Sequence, residues 1–364
     1  MRTLTSTPRQ DGFRMPGEFE KHAGCWMIWP ERPDVWRNGA KPAQTAYTAV
    51  ATAIAQFEPV TVVVSANQFR HARSRLPDHI RVVEISNNDA WIRDTGPSFV
   101  VNDKGDVRGV DWTFNAYGGL EEGLYFPWDS DAILAQKVLE LTAVERYKSP
   151  LVAEGGSIHV DGQGTLLTTE DCLLNPNRNP NLSQDDVENQ LREYLNVEEI
   201  IWLRCEVEGD ETNGHVDQLC CFARPGEVVL TWTDDPENVY FDVVREAYDT
   251  LMTTMDAQGR RFNVHKLPLS DPMFVTKEEA EGIEVTDAAY TRPEGMPIVD
   301  TYINFYIANG GVVVPTFNQP QKDQQALQVL AEVFPNRQVV GVPSREIGIG
   351  GGLIHCITQQ QPAG

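Results

Sequence analysis

The chain is short of positive charge. Lys and Arg number 30 against 53 Asp and Glu, a formal net charge of -23. Nucleic-acid partners select basic surfaces, so that function class is set aside. Long apolar runs are also missing. No stretch reaches the roughly 18 apolar residues of a membrane span, and the N-terminal M-R-T-L-T-S-T-P-R-Q-D-G has no apolar segment of a secretory leader. The six cysteines include no C-x-x-C pair, which argues against a zinc ribbon or a redox motif. Reduced thiols in a cytoplasmic protein are the economical reading. Linker-like and low-complexity tracts are absent too, so residues 1–364 read as one domain.

What is present suits a packed α/β protein. Hydrophobic residues make up 41% of the chain, enough for a sizeable core. Apolar spacing predicts helices over 44–56, 131–142, 184–195, 237–255 and 322–333. Ser183 is the expected N-cap of the third, with acidic residues following in its first turn. Short β-rich runs lie between them at 61–64, 80–85, 98–101, 227–232, 311–315 and 338–342. A weak repeat accompanies the alternation. G-G-S-I-H-V at 155–160 matches G-G-L-I-H-C at 351–356, and I-H-V-D at 158–161 echoes G-H-V-D at 214–217. Together these suggest one unit used several times around a centre, with loops converging on the axis. Val160 then stands in one copy where Cys356 stands in the other.

Polar residues cluster in a few segments. N-D-A-W-I-R-D-T-G-P at 88–97 offers Trp91, Arg93 and Asp94. E-G-G-S-I-H-V-D-G at 154–162 offers Glu154, His159 and Asp161. G-D-E-T-N-G-H-V-D-Q at 209–218 offers Asp210, Glu211, His215 and Asp217. Read as a strand, H-V-D puts His215 and Asp217 on one face. Each segment also has a plain structural reading. Asp94 could cap the turn at Gly96-Pro97, and His159 with Asp161 reads as a satisfied strand pair. Cys220 and Cys221 read as core residues of a strand after His215. A metal site built from the two H-V-D segments lacks the ligand spacing of a zinc set, and there is no H-E-x-x-H.

Carboxylates, a histidine and a thiol suit one electrophile in particular. Two carboxylates can grip a planar guanidinium and hold its carbon in line with a nucleophile. The cation in turn favours thiolate over thiol. A histidine beside a carboxylate can protonate departing ammonia and then deprotonate water. The constellation points to covalent hydrolysis of a guanidine.

These residues resemble the agmatine deiminase family of the guanidine-modifying, pentein-fold superfamily, over nearly the whole chain. The resemblance is carried by H-A-G-C-W-M-I-W-P-E-R-P-D at 22–34, W-I-R-D-T-G-P at 91–97, E-G-G-S-I-H-V-D-G at 154–162, T-N-G-H-V-D at 212–217, N-F-Y-I-A-N-G-G at 304–311 and G-G-G-L-I-H-C-I-T-Q-Q at 350–360. It implies a five-bladed α/β propeller with pseudo-fivefold ββαβ-type repeats around a central site. It implies Cys356 as the nucleophile that forms an amidino-cysteine intermediate. Asp94 and Asp217 would hold the guanidinium, His215 and Glu154 would share proton transfer, and Trp91 and Asp210 would contact substrate. The implied reaction turns agmatine and water into N-carbamoylputrescine and ammonia, in polyamine synthesis, with no cofactor and no metal. A homodimer or higher homo-oligomer is expected. One position departs from the family pattern: Leu353 stands where Asn is usual. A strand reading places Leu353 opposite Cys356, so the nucleophile should survive the change.

Three other readings compete. An arginine-directed deiminase or amidinotransferase would need a basic clamp for the substrate carboxylate, and Arg93 is the one basic residue in the three acidic segments at 88–97, 154–162 and 209–218. A metal-dependent ureohydrolase would need clustered Asp and His ligands. A non-catalytic propeller would need neither thiol nor histidine at these places.

Overall fold

Parallel strand neighbours need a crossover of a dozen or more residues, whereas antiparallel neighbours can be joined by a tight turn. That rule organises this chain. The computed structural model describes residues 1–205, 207 and 209–364, and its strands form five separate mixed sheets among the described residues. Each sheet repeats one arrangement: an antiparallel pair, then a helix, then a strand parallel to the second of the pair. In the first unit Ser98–Val101 and Val107–Thr113 are antiparallel, and helix Leu134–Thr142 leads to Glu145–Val152. The second uses His159–Val160, Thr165–Thr169, helix Gln184–Leu195 and Glu199–Leu203. The third uses Cys220–Arg224, Glu227–Trp232, helix Phe241–Thr253 and Asn263–Pro268. The fourth uses Tyr306–Ile307, Gly311–Thr316, helix Pro320–Val333 and Gln338–Pro343.

The fifth unit is assembled from both chain ends. C-terminal Gln359–Pro362 runs antiparallel to His22–Ile28, and helix Lys41–Ile54 carries the chain on to the parallel strand Val60–Val64. Thr3–Leu4 and Arg81–Glu84 add outer strands to the first and fifth sheets. The sequence therefore closes on itself through a strand pair, not through a linker.

The helices form where an apolar stripe can be buried on a sheet. Val187, Leu191 and Leu195 recur at four-residue spacing and are fully buried, as are Val244, Ala247 and Leu251 of the third-unit helix. The observed helix 184–195 has the expected bounds and cap. The expected 237–255 helix is shorter, Phe241–Thr253, and 131–142 begins as a 3₁₀ turn at Asp131–Ile133. Strands 98–101 and 227–232 lie as expected. Two strand readings need correction. His215 and Asp217 lie on a 3₁₀ turn, Val216–Gln218, with His215 at its N-cap. Residues 353–356 are turn and coil, not strand. In both places the chain is entering a strand and must first bend, and a strand could not aim consecutive polar groups at one point. No helix among the described residues is long and apolar enough to cross a membrane.

Ser183 closes a reciprocal capping box: its hydroxyl accepts from the Asp186 N–H, while Asp186 Oδ2 accepts from the Ser183 N–H at 3.0 Å. Ser183→Ala should lower unfolding stability by about 1 kcal/mol. A chemical-denaturation midpoint unmoved by this change would show that the cap contributes nothing.

Candidate active site

Each unit contributes a bend just before its first strand. Ile92–Thr95 precedes Ser98–Val101 and carries Asp94. Gly155–Ser157 precedes His159–Val160 and follows Glu154. Val216–Gln218 precedes Cys220–Arg224 and carries Asp217, with His215 at its head. Asn304 precedes Tyr306–Ile307, and Cys356 precedes Gln359–Pro362. The five bends meet. Asp94 Oδ1 accepts from the Gly156 N–H at 2.9 Å. His215 Nδ1 lies 4.0 Å from Asp94 Oδ1, and Nε2 lies 3.6 Å from Glu154 Oε2. The Cys356 thiol lies 3.5 Å from Asp217 Oδ2. Five of the residues expected from sequence, Asp94, Glu154, His215, Asp217 and Cys356, are thus brought together, all of them buried.

Gly156 shows how tight the meeting is. A Cβ there would lie 2.5 Å from His215 Nδ1 and 3.0 Å from both Asp217 Oδ2 and Asp94 Oδ1. Only a residue without a side chain lets those three groups share one space.

Asn304 anchors the Cys356 turn. Its Oδ1 accepts from the backbone N–H groups of His355 at 2.9 Å and Cys356 at 3.3 Å, and its Nδ2 approaches the sulfur at 3.2 Å. Gln218 Nε2 stands on the same sulfur at 3.8 Å, held by Thr301. The amide that steadies the cysteine turn comes from Asn304. Leu353 meanwhile packs in an apolar cluster with Ile298, Ile303 and Ile349. Neither Asn304 nor Gln218 was singled out in the sequence, although Asn304 opens the motif N-F-Y-I-A-N-G-G.

Burial and charge set the protonation pattern. Burial, then Asp217 and Asp94, push the Cys356 thiol well above the ordinary cysteine range. Burial also works against the His215 imidazolium, but Asp94, Cys172 and Glu154 outweigh it and raise its pKa well above the usual value. Burial would raise Glu154, yet Arg178 and His215 bring it down to about 2. Arg178 donates from Nε to Glu154 Oε1 at 2.7 Å. Burial raises Asp94, helped by Asp217 and Glu154, while its Oδ2 accepts from the Tyr117 hydroxyl at 2.9 Å. Asp217 goes the other way: burial raises it, but the hydrogen bond and charge of His355 bring it below the ordinary range. Its Oδ1 has no hydrogen-bond partner among the described residues, nor have the two ring nitrogens of His215.

Above the thiol lies a narrow cleft of about 20 Å³, lined in part by Asp89, Trp91, Asp94, Tyr117, Glu211 and Cys356. Trp91 lines this cleft, with its indole N–H on Asp89 Oδ2 at 2.8 Å. Asp210 does not line it. Its carboxylate is spent on the N–H and hydroxyl of Thr212 and the N–H of Gly214, closing the turn that delivers His215. It borders a separate cleft of about 460 Å³. Its neighbour Glu211 takes the place at the thiol cleft, because successive side chains leave the backbone in different directions. Arg292 also lines the thiol cleft, from far outside the quoted motifs, but it is engaged by the Glu211 carboxylate and the Gly350 carbonyl. Arg93 is buried behind the cleft on Glu18 at 2.9 Å.

Two buried trios bring metal-capable atoms within 4.8 Å: Glu18, His159 and His355, and Glu154, Cys172 and His215. Neither pairs the two H-V-D segments. In each, the carboxylate is already bound to an arginine, Arg93 or Arg178. His159 and Asp161 do not form a pair: His159 faces Glu18, and Asp161 Oδ1 accepts from the N–H groups of Gln163 and Thr165 while Oδ2 lies 3.5 Å from Arg260. Cys220 and Cys221 are buried strand residues, as expected.

The family model of Porphyromonas-type peptidyl-arginine deiminases matches residues 14–362. The agmatine deiminase of Pseudomonas aeruginosa (strain LESB58) is 57% identical over 365 residues, covering 100% of this chain and 99% of that protein. That of Ectopseudomonas mendocina (strain ymp) is 55% identical over 365 residues, with the same coverage. The solved structure of agmatine deiminase of Enterococcus faecalis superposes with a TM-score of 0.97 at 50% identity, covering 100% of both chains. The chain belongs to the Porphyromonas-type peptidyl-arginine deiminase family, among relatives that are agmatine deiminases along their full length.

Proposed function

We propose that the protein is an agmatine deiminase, hydrolysing the guanidine of agmatine to N-carbamoylputrescine and ammonia through a covalent bond to Cys356. The observation that carries this is the pairing of a buried thiol with Asp217, whose other oxygen is left without a protein donor, inside a chain more than half identical to agmatine deiminases. The five sheets stand around this site as the blades of a propeller.

The geometry supports a sequence of steps. Asp217 Oδ1 and Asp94 take the guanidinium nitrogens and place its carbon against the sulfur. In the empty site the two acids keep sulfur protonated. The incoming cation cancels their field, so the thiol gives its proton up to solvent, where it balances the ammonia later released, and the thiolate attacks. A C–S bond forms as electrons move onto nitrogen. His215, held protonated, gives its proton to one terminal nitrogen, and that C–N bond breaks to release ammonia. The neutral imidazole then takes a proton from water, steadied by Glu154, as the water oxygen bonds to the amidino carbon. Collapse breaks the C–S bond, returns the electrons to sulfur and leaves the ureido product, whose excess proton passes to the thiolate. General acid–base help of this kind typically supplies about 10²–10⁴-fold.

Acidic and aromatic groups, Asp89, Glu211 and Trp91, suit a substrate that ends in an amine. Arg292 is the one feature that favours arginine, since its guanidinium could meet an α-carboxylate, but Glu211 already neutralises it. We assign the enzyme to polyamine synthesis in the cytoplasm, as a homo-oligomer without a metal or cofactor.

With agmatine and arginine supplied separately in EDTA, mass spectrometry should find N-carbamoylputrescine and ammonia from agmatine alone, and none with Cys356→Ala. Citrulline from arginine would move the substrate, and dependence on added metal would favour a ureohydrolase. Gly156→Ala should cut kcat/KM by about 10²-fold or more, since a reacting group misplaced by an ångström costs that much. Wild-type kinetics in that variant would contradict the three-way contact drawn at Gly156.

A further inference from the structure

The residue before the nucleophile has no part in the steps above, yet it is among the most tightly held in the molecule. His355 is buried, and each ring nitrogen faces a carboxylate. Nδ1 lies 2.9 Å from Asp217 Oδ2, and Nε2 lies 2.9 and 3.0 Å from the two oxygens of Glu18. A neutral imidazole has one N–H and one lone pair. It would turn that lone pair on a carboxylate inside a buried site, where such a clash is poorly screened. With both carboxylates ionised, both nitrogens donate and the ring is an imidazolium.

We propose that His355 is a permanently charged positioning residue for Asp217: it ties down Oδ2 from behind, keeps the carboxylate anionic beside Asp94 and Glu154, and so leaves Oδ1 turned to the substrate guanidinium. This rests on the proposed role of Asp217 as a guanidinium holder.

The surrounding charges fit. Glu18 is shared by Arg93 at 2.9 Å and His159 at 3.5 Å. His159 Nδ1 accepts from the Phe222 N–H at 3.3 Å, so its own proton sits on Nε2, toward Glu18. His159 stacks on His355 with ring centroids 6.2 Å apart. Arg93 and His355 carry two positive charges, and Glu18 and Asp217 carry two negative ones. Among the described residues, the other titratable groups nearby include Cys356, next in the chain, and Asp94, Cys205, His215, Cys221 and Tyr240, which feel Asp217. Arg93 also donates from its backbone N–H to the Cys356 carbonyl at 3.2 Å and from Nε to the His355 carbonyl at 3.3 Å. One buried network thus fixes both the nucleophile turn and the carboxylate beside it. Burial and Arg93 work against the imidazolium, but Glu18 and Asp217 outweigh them and raise the His355 pKa. The two histidines of the weak sequence repeat, 159 and 355, meet on this one glutamate.

The test is the pH profile of kcat/KM for agmatine in His355→Gln and Glu18→Gln, beside Asp217→Asn. A glutamine at 355 can donate to Asp217 but brings no charge. Asp217 would then hold its proton to higher pH, so the acid limb should move up by about one unit or more. About tenfold in kcat/KM is lost below the limb for each unit, with KM rising more than kcat falls. Glu18→Gln, which keeps shape and removes a negative charge from the network while His355 stays charged, should let Asp217 release its proton more readily and move the limb down, and it decides the matter if His355→Gln does not fold. An acid limb unmoved in the folded variants, whatever the rate, would overturn the proposal. If Asp217→Asn itself retained full activity, the reading of Asp217 would be what had failed.

Discussion

Charge compensation in a buried space is the constraint on which the site depends. Glu18, Asp94, Glu154 and Asp217 are all buried within one small region around a thiol. Four carboxylates brought this close without partners would take up protons and not ionise. Each is instead met by groups from elsewhere in the chain. Glu154 has Arg178, Glu18 has Arg93 and His355, and Asp217 has His355. Asp94 has no arginine; it has the Tyr117 hydroxyl, the Gly156 N–H and the nearby His215 ring. It is also the member of the set whose pKa is raised. The balance is left open in one place, and a guanidinium fits there: it brings positive charge, planar donors and an electrophilic carbon together.

The repeated unit explains how one chain gathers so many polar groups at one point. A strand alternates its side chains and could offer at most every second residue to the site. The bend before a strand has no such limit. It delivers Asp94, Glu154, His215 with Asp217, Asn304 and Cys356 from five separate units. Tyr117 and Arg178 come from the loops that leave the second strands of their hairpins; Tyr117 lines the cleft and bonds Asp94, and Arg178 holds Glu154. Pairing of Gln359–Pro362 with His22–Ile28 then ties the cysteine bend to the N-terminal part of the chain. The last strand holds the Cys356 bend as much as it completes a sheet.

Much of this was legible from the residues. Helix 184–195 could be bounded because its cap, acidic first turn and four-residue apolar spacing agree. Strands such as Thr165–Thr169, Glu199–Leu203 and Asn263–Pro268 were missed: they are five or six residues long, and T-L-L-T-T and N-V-H-K-L-P offer weak alternation. At the site, the thiol, histidine and acids suggested guanidine chemistry, but their individual roles came from the family resemblance. Asn304, Arg178 and Tyr117 carried no local signal, because what makes them matter is contact across more than 20 residues of chain. The choice between Asp210 and Glu211 turned on which of two adjacent acids faces inward, and that depends on the bend at Thr212–Gly214. Arg292 reached the cleft from outside every quoted motif.

Rapid quenching of the enzyme during turnover of agmatine, followed by peptide mass spectrometry, tests the central claim most directly. A covalent mechanism predicts a transient adduct carrying the amidine of the substrate on the peptide that contains Cys356. Steady turnover that persists in Cys356→Ala, with no adduct on that peptide in the native enzyme, would contradict it.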